Sequence, residues 1–160
     1  MRPGTLYIVA TPLGNLGDLS HRAAALLQQV PVVAAEDTRR TRGLLTHLGA
    51  SPTLLSFHAH SSSHRAGALL EILGSGRDVA LVSDAGTPVI SDPGGDLAAQ
   101  ARAAGFSVVP IPGPSAVAVA LSASGSSASM GSDGARSRRA STMKGSASTS
   151  TAAETSSDVP

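Results

Sequence analysis

The sequence predicts an α/β fold: a five-stranded, mainly parallel sheet with helices on both faces. Two patterns carry that reading. Short apolar, β-branched runs alternate with helical stretches of about 10 to 12 residues, the rhythm of strand–helix–strand units. One run, Val79 to Val82, is apolar on every residue, as a strand covered on both faces must be. A third observation concerns placement. Glycine, proline and aspartate gather just after the predicted strands, on the edge where open parallel sheets bind ligands.

The elements follow in order. Leu6 to Ala10 is the first strand. Ser20 caps a helix through about Gln29, with Ala23, Ala24, Leu26 and Leu27 on its buried side. Val32 to Ala35 is the second strand. Asp37 or Thr38 opens the second helix, and Gly49 ends it. Thr53 to Phe57 is the third strand, and Ser63 to Leu73 the third helix, closed by Gly74-Ser75-Gly76. After the fourth strand, Asp92 caps a helix with Pro93 at its first position; it runs to Ala104 and stops at Gly105. Phe106 to Pro110 is the fifth strand, and Ser115 to Ser122 the last helix. Right-handed crossovers bring the loops after strands one, two, four and five to one sheet edge.

Composition sets the bounds. Residues 1–125 carry every Leu, Ile, Phe and Tyr of the chain, whereas 126–160 hold a single Val and no aromatic residue. The first segment is expected to be the one folded domain. The second is expected to be a disordered Ser/Ala-rich tail, because it cannot bury enough apolar surface to offset its ordering entropy. The net charge of +1 gives no global attraction for nucleic acid. The absence of cysteine excludes disulfides and thiolate metal sites. No run approaches the roughly 20 apolar residues that cross a bilayer, and no signal peptide is evident, so a cytoplasmic protein is expected.

Five loops hold the distinctive residues. Thr11-Pro12-Leu13-Gly14-Asn15-Leu16-Gly17-Asp18 lacks the glycine spacing of a dinucleotide fold and the lysine of a P-loop; it is a tight turn or part of a site. Glu36-Asp37 precede Arg39, Arg40 and Arg42. A carboxylate there orients or deprotonates a hydroxyl, or Asp37 caps the helix. Arg39 and Arg42, one turn apart, contact RNA phosphates or form a solvated face. Phe57-His58-Ala59-His60 has no zinc spacing, so no metal is expected. Ser83-Asp84-Ala85-Gly86-Thr87-Pro88 and Ser91-Asp92-Pro93-Gly94 form a stiff loop in which Gly86 allows close backbone approach to a ligand. Pro112-Gly113-Pro114-Ser115 lies beside it if strands one, four and five are neighbours.

In this order these motifs resemble the ribosomal RNA small-subunit methyltransferase I family of the tetrapyrrole methylase superfamily, over residues 5 to 125. The resemblance implies S-adenosyl-L-methionine-dependent methylation of the ribose 2′-hydroxyl of one cytidine in the decoding centre of 16S ribosomal RNA. It implies a cofactor pocket lined by Asp84, Ala85, Gly86, Thr87, Ser91, Pro112, Gly113 and Pro114, with Pro12 and Gly14 nearby. Asp37 becomes the candidate catalytic base, and Arg39 and Arg42 the candidate RNA contacts. The implied partner is 16S ribosomal RNA or the small ribosomal subunit, with no membrane, and the family implies a homodimer. Relatives continue past Gly125 into a second domain. The chain is therefore expected to be truncated or frameshifted there and impaired as an enzyme. The alternative is a non-catalytic fragment that weakly binds a nucleotide-like ligand or RNA.

Overall fold

The computed structural model describes residues 2–58, 62–84, 86–88 and 94–125, with side-chain surroundings from 65 onward in the third helix. The strands are β1 (Thr5–Val9), β2 (Val32–Ala35), β3 (Thr53–Ser56), β4 (Val79–Val82) and β5 (Ser107–Ile111). The helices are α1 (His21–Gln29), α2 (Thr38–His47), α3 (Ser62–Gly74), α4 (Gly94–Ala103) and α5 (Ala116–Ser124). The strand order is β3-β2-β4-β1-β5, and all four pairings are parallel. The expected α/β class and the expected neighbourhood of strands one, four and five are both found. The segment 126–160 lies outside the described residues, as do Asp92 and Pro93, the expected start of the fourth helix.

Alternation along the strands divides the core. Leu6 and Ile8 of β1, Val32 and Ala34 of β2, and Val79 and Leu81 of β4 face α3 and α4, where they meet Leu69, Leu73, Leu97 and Ala101. Their neighbours Val9, Val33, Ala35, Ala80 and Val82 face the other way, against Ala23 and Leu27 of α1 and Leu44 and Leu45 of α2. A strand residue points to the opposite face from the one before it, so two apolar layers require continuous apolar runs. All eight residues of β2 and β4 are buried. The edge strands are less covered; β5 carries Pro110, which offers no N–H for a further strand to bond.

Boundaries shift where a backbone group is committed elsewhere. β5 begins at Ser107, one residue later than expected, because the Phe106 N–H donates to Ala101 O at the end of α4 (2.9 Å). β1 shifts by one residue the other way, pairing Thr5 with Ser107 and Val9 with Ile111. Ser115 is the N-cap of α5 rather than its first residue, its hydroxyl accepting from Ala118 N. A 3₁₀ turn at Leu16–Asp18, capped by the Asn15 side chain, stands where a plain turn is expected. α5 belongs to neither core layer: Val117 and Val119 are 51% and 54% exposed.

The amino edge of the sheet is closed tightly. Gly4 N donates to Leu73 O (2.8 Å), and Thr5 N donates to Asp78 Oδ1 (2.7 Å). A Cβ on Gly4 would lie 2.0 Å from the backbone oxygen of Arg77. Gly4→Ala is therefore expected to force a backbone shift and lower stability by about 1–3 kcal/mol, the usual cost of overpacking. The urea midpoint of the variant against the parent chain measures it; an unchanged midpoint would show that the Gly4 contact is not tight.

Candidate functional site

Parallel pairing in register sets the carboxyl ends of β1, β4 and β2 side by side: Val9 opposes Val82, and Ala35 opposes Val82 on its other side. The loops that follow are tied to one another. Thr11 N donates to Gly86 O (2.9 Å), and Gly86 N donates to Thr11 O (3.0 Å). The Thr11 hydroxyl donates to Ser83 O (3.0 Å). Thr87 Oγ1 donates to Pro114 O (3.2 Å), which joins the β4 loop to the β5 loop. Asp37 N donates to Asp84 Oδ1 (2.9 Å), which joins the β2 loop to the β4 loop. Gly86 has φ +83, a conformation that disfavours a Cβ, and one there would meet Leu13 Cδ2 at 3.3 Å and Ala116 N at 3.4 Å.

The loops after β1 and β4 and one face of α2 line an open cavity of about 510 Å³, a size typical of small-molecule sites. Its walls are of two kinds. Pro12, Leu13, Leu16 and Leu44 are apolar, while Thr11, Thr41, Ser83, Asp84 and Arg40 bring polar and charged groups. Of the expected cofactor residues, Pro12, Gly14 and Asp84 line this cavity. Gly86 packs behind Leu13 and against Pro114, and Thr87 braces the β5 loop. Gly113 is pressed on Ala10, just past the end of β1, where a Cβ would come within 2.9 Å of Ala10 Cβ. Pro112 is exposed. Ala85 and Ser91 lie outside the described residues, as does most of the histidine loop after His58.

The sequence reading misses Arg40, Thr41, Gly43 and Leu44, which α2 presents to the cavity. Their only sequence signal is helical spacing from Arg40 to Leu44, which a solvated face shares.

Asp37 is the N-cap of α2, its N–H bonded to the Asp84 carboxylate that lines the cavity. Its Oδ1 accepts from Arg39 N (2.8 Å), and the same oxygen lies 3.4 Å from Arg39 Nε. The bond from the Arg39 backbone N–H, helped by the guanidinium, holds the Asp37 carboxyl below its ordinary value of 3.8. Such a carboxylate is a weak proton acceptor and a good hydrogen-bond acceptor. Arg39 is thus committed to Asp37, whereas Arg42 lines a different cavity. Among the described residues, no group of three or more His, Asp or Glu could hold a metal ion.

The geometry has parallels among known proteins. The family model of the Tetrapyrrole (Corrin/Porphyrin) Methylases matches residues 5–155. The chain is 58% identical over 109 residues to the ribosomal RNA small subunit methyltransferase I of Xylella fastidiosa, covering 68% of this chain and 40% of that protein. It is 52% identical over 108 residues to the protein of the same name from Pasteurella multocida, covering 68% and 38%. The chain therefore spans about 40% of the length of these curated relatives. The crystal structure of a uroporphyrin-III-C-methyltransferase from Thermus thermophilus superposes with a TM-score of 0.60 at 28% identity, over 76% of this chain and 52% of that one.

The lowered carboxyl of Asp37 has a pH signature. Its charged form favours the folded state at neutral pH, and that contribution fades as pH falls from about 3.8 through the lowered folded value. Asp37→Asn keeps a capping oxygen but not the charge. The parent chain is expected to have the higher urea midpoint at pH 7, and the gap to close as the solution is acidified below pH ~4. A gap independent of pH would show that the charge of Asp37 does not contribute.

Proposed function

Because the chain belongs to the tetrapyrrole methylase family, we propose that its carboxyl-edge cavity binds S-adenosyl-L-methionine and serves methyl transfer to ribosomal RNA. We assign the acceptor as the ribose 2′-hydroxyl of a cytidine in the decoding centre of the 16S molecule. The observation that carries this reading is the pairing of Asp84 with an apolar wall in one cavity. A sulfonium nucleoside needs both: a carboxylate near its positive charge and an apolar surface for its base. The names of the relatives support RNA as the acceptor.

The donor supplies an already activated methyl group. What the chain must supply is placement, since alignment of two reactants lowers the barrier by several kcal/mol without acid or base chemistry. The braced loops fix Pro12, Gly14 and Asp84 relative to one another before any ligand arrives. Asp84 Oδ1 accepts from Asp37 N, so the backbone at the start of α2 is held against the Asp84 carboxylate. Asp37, the cap of α2 and weakly basic, acts by accepting a hydrogen bond from the ribose hydroxyl and orienting it. Gly86, Thr87, Gly113 and Pro114 hold the β4 and β5 loops around the donor, with Ala85, Ser91 and Pro112 assigned to the same lining.

The sulfonium assignment is tested with a charged and a neutral ligand. Calorimetric titration of the chain is expected to show tighter binding of S-adenosylmethionine than of S-adenosylhomocysteine, which lacks the charge. Asp84→Asn preserves the acceptor for Asp37 N and is expected to weaken the first about tenfold, equivalent to about 1.4 kcal/mol, with little effect on the second. Equal losses for both ligands, or none, would remove Asp84 from the site. Transfer of labelled methyl to small-subunit RNA, read by the position of nuclease resistance, tests the reaction itself.

A further inference from the structure

A second cavity, of about 450 Å³, lies on the far side of α2 at the β3 edge of the sheet. Helical spacing explains why one helix serves two cavities. Thr38 and Arg42, four residues apart, face β3 and α3, while Arg40, Thr41 and Leu44 face the first cavity. Arg65 enters the second cavity from α3. Its guanidinium donates from Nη1 to Ser56 O, which ties α3 to the end of β3. The floor is apolar, built from Leu55 and Leu69. β3 is the edge strand, so among the described residues no further strand closes the outer side.

The charge balance of this cavity is one-sided. Arg42 and Arg65 bring two guanidiniums, and among the described residues no carboxylate lines it. The ion pair between Arg39 and Asp37 lies outside it. Two guanidiniums from different helices, beside the Thr38 hydroxyl, match the oxygens of a phosphodiester, and the apolar floor suits a sugar or base face.

We propose that this cavity, formed by Arg42, Arg65, Thr38 and Ser56, is a docking site for the phosphate backbone of single-stranded RNA. The proposal rests on the ribosomal RNA reading above and names the part of the chain that holds the substrate away from the reacting ribose. A strand crossing the amino end of α2 touches both cavities, because Thr38 of the second follows directly on Asp37, whose N–H is bonded to Asp84 of the first. The phosphate contacts position the strand and read no bases.

The test uses the full chain and a short fluorescein-labelled oligoribonucleotide of mixed sequence, with binding read by anisotropy at about 50 to 200 mM salt. Arg42→Ala with Arg65→Ala is expected to weaken binding and to reduce the salt slope by about 1.4, the value for two lost single-strand phosphate contacts. Arg42→Ala alone, on an exposed helix face, is expected to reduce it by about 0.7 and keeps the test valid if loss of Arg65 unfolds α3. Arg102→Ala removes the same charge from α4 and is expected to leave the slope unchanged. Equal slopes for the parent and the Arg42 variants overturn the site and leave the methyl-donor reading intact, since calorimetry reads the first cavity separately. A uniform loss across all three variants also overturns it, as general charge. If the parent chain fails to bind RNA at low salt, both the site and the RNA part of the functional reading fall.

Discussion

Two reciprocal backbone hydrogen bonds between Thr11 and Gly86 hold the loop after β1 against the loop after β4. Everything at the carboxyl edge hangs from that pair. The Thr11 hydroxyl extends it to Ser83, Thr87 carries it on to Pro114, and Asp84 carries it across to Asp37. Four loops from four strands are thereby restrained relative to one another. Ordering a loop costs conformational entropy, and a site whose loops are ordered in advance spends less of its binding energy on arranging itself. The contact depends in turn on sheet register. With Val9 opposite Val82, Thr11 and Gly86 leave adjacent strands at the same height. A slip of one residue would exchange the two apolar layers and separate the pair.

That dependence explains which parts of the fold are legible in the sequence. β2 and β4 are read to the residue because every side chain is apolar and buried, leaving no ambiguity of pattern. β1 and β5 are displaced by one, because their limits are set by where Phe106 and Thr5 send their N–H groups, which composition does not encode. Ser20 and Gly49 announce the start of α1 and the end of α2 through local chemistry: a hydroxyl accepting from Ala23 N, and a left-handed φ of +66. The 3₁₀ turn at Leu16–Asp18 is hidden, since its cap Asn15 reads equally well as an ordinary turn residue.

The site divides in the same way. Pro12, Gly14 and Asp84 are visible because loop residues at strand ends have few other reasons to be there. Arg40, Thr41 and Leu44 are invisible, because a helix face turned to a cavity has the same spacing as one turned to a core. Asp37 is ambiguous in sequence between a cap and a base. The structure makes it a cap that retains one role compatible with chemistry, accepting a hydrogen bond. Arg39 and Arg42, equivalent in sequence, are separated by tertiary structure: one is paired, the other unopposed beside Arg65.

The amino edge of the sheet has a different character. There Gly4 is wedged beneath the Arg77 carbonyl, and the Asp78 carboxylate receives the first amide of β1. Neither cavity is lined by any residue of that edge. The sheet is therefore a plate with a structural rim and a chemical rim, about five residues apart along β1. Substitutions at the two rims act through separate contacts, so their effects are expected to add. The tight closure around Gly4 therefore governs how firmly the sheet holds together without touching the residues that line either cavity.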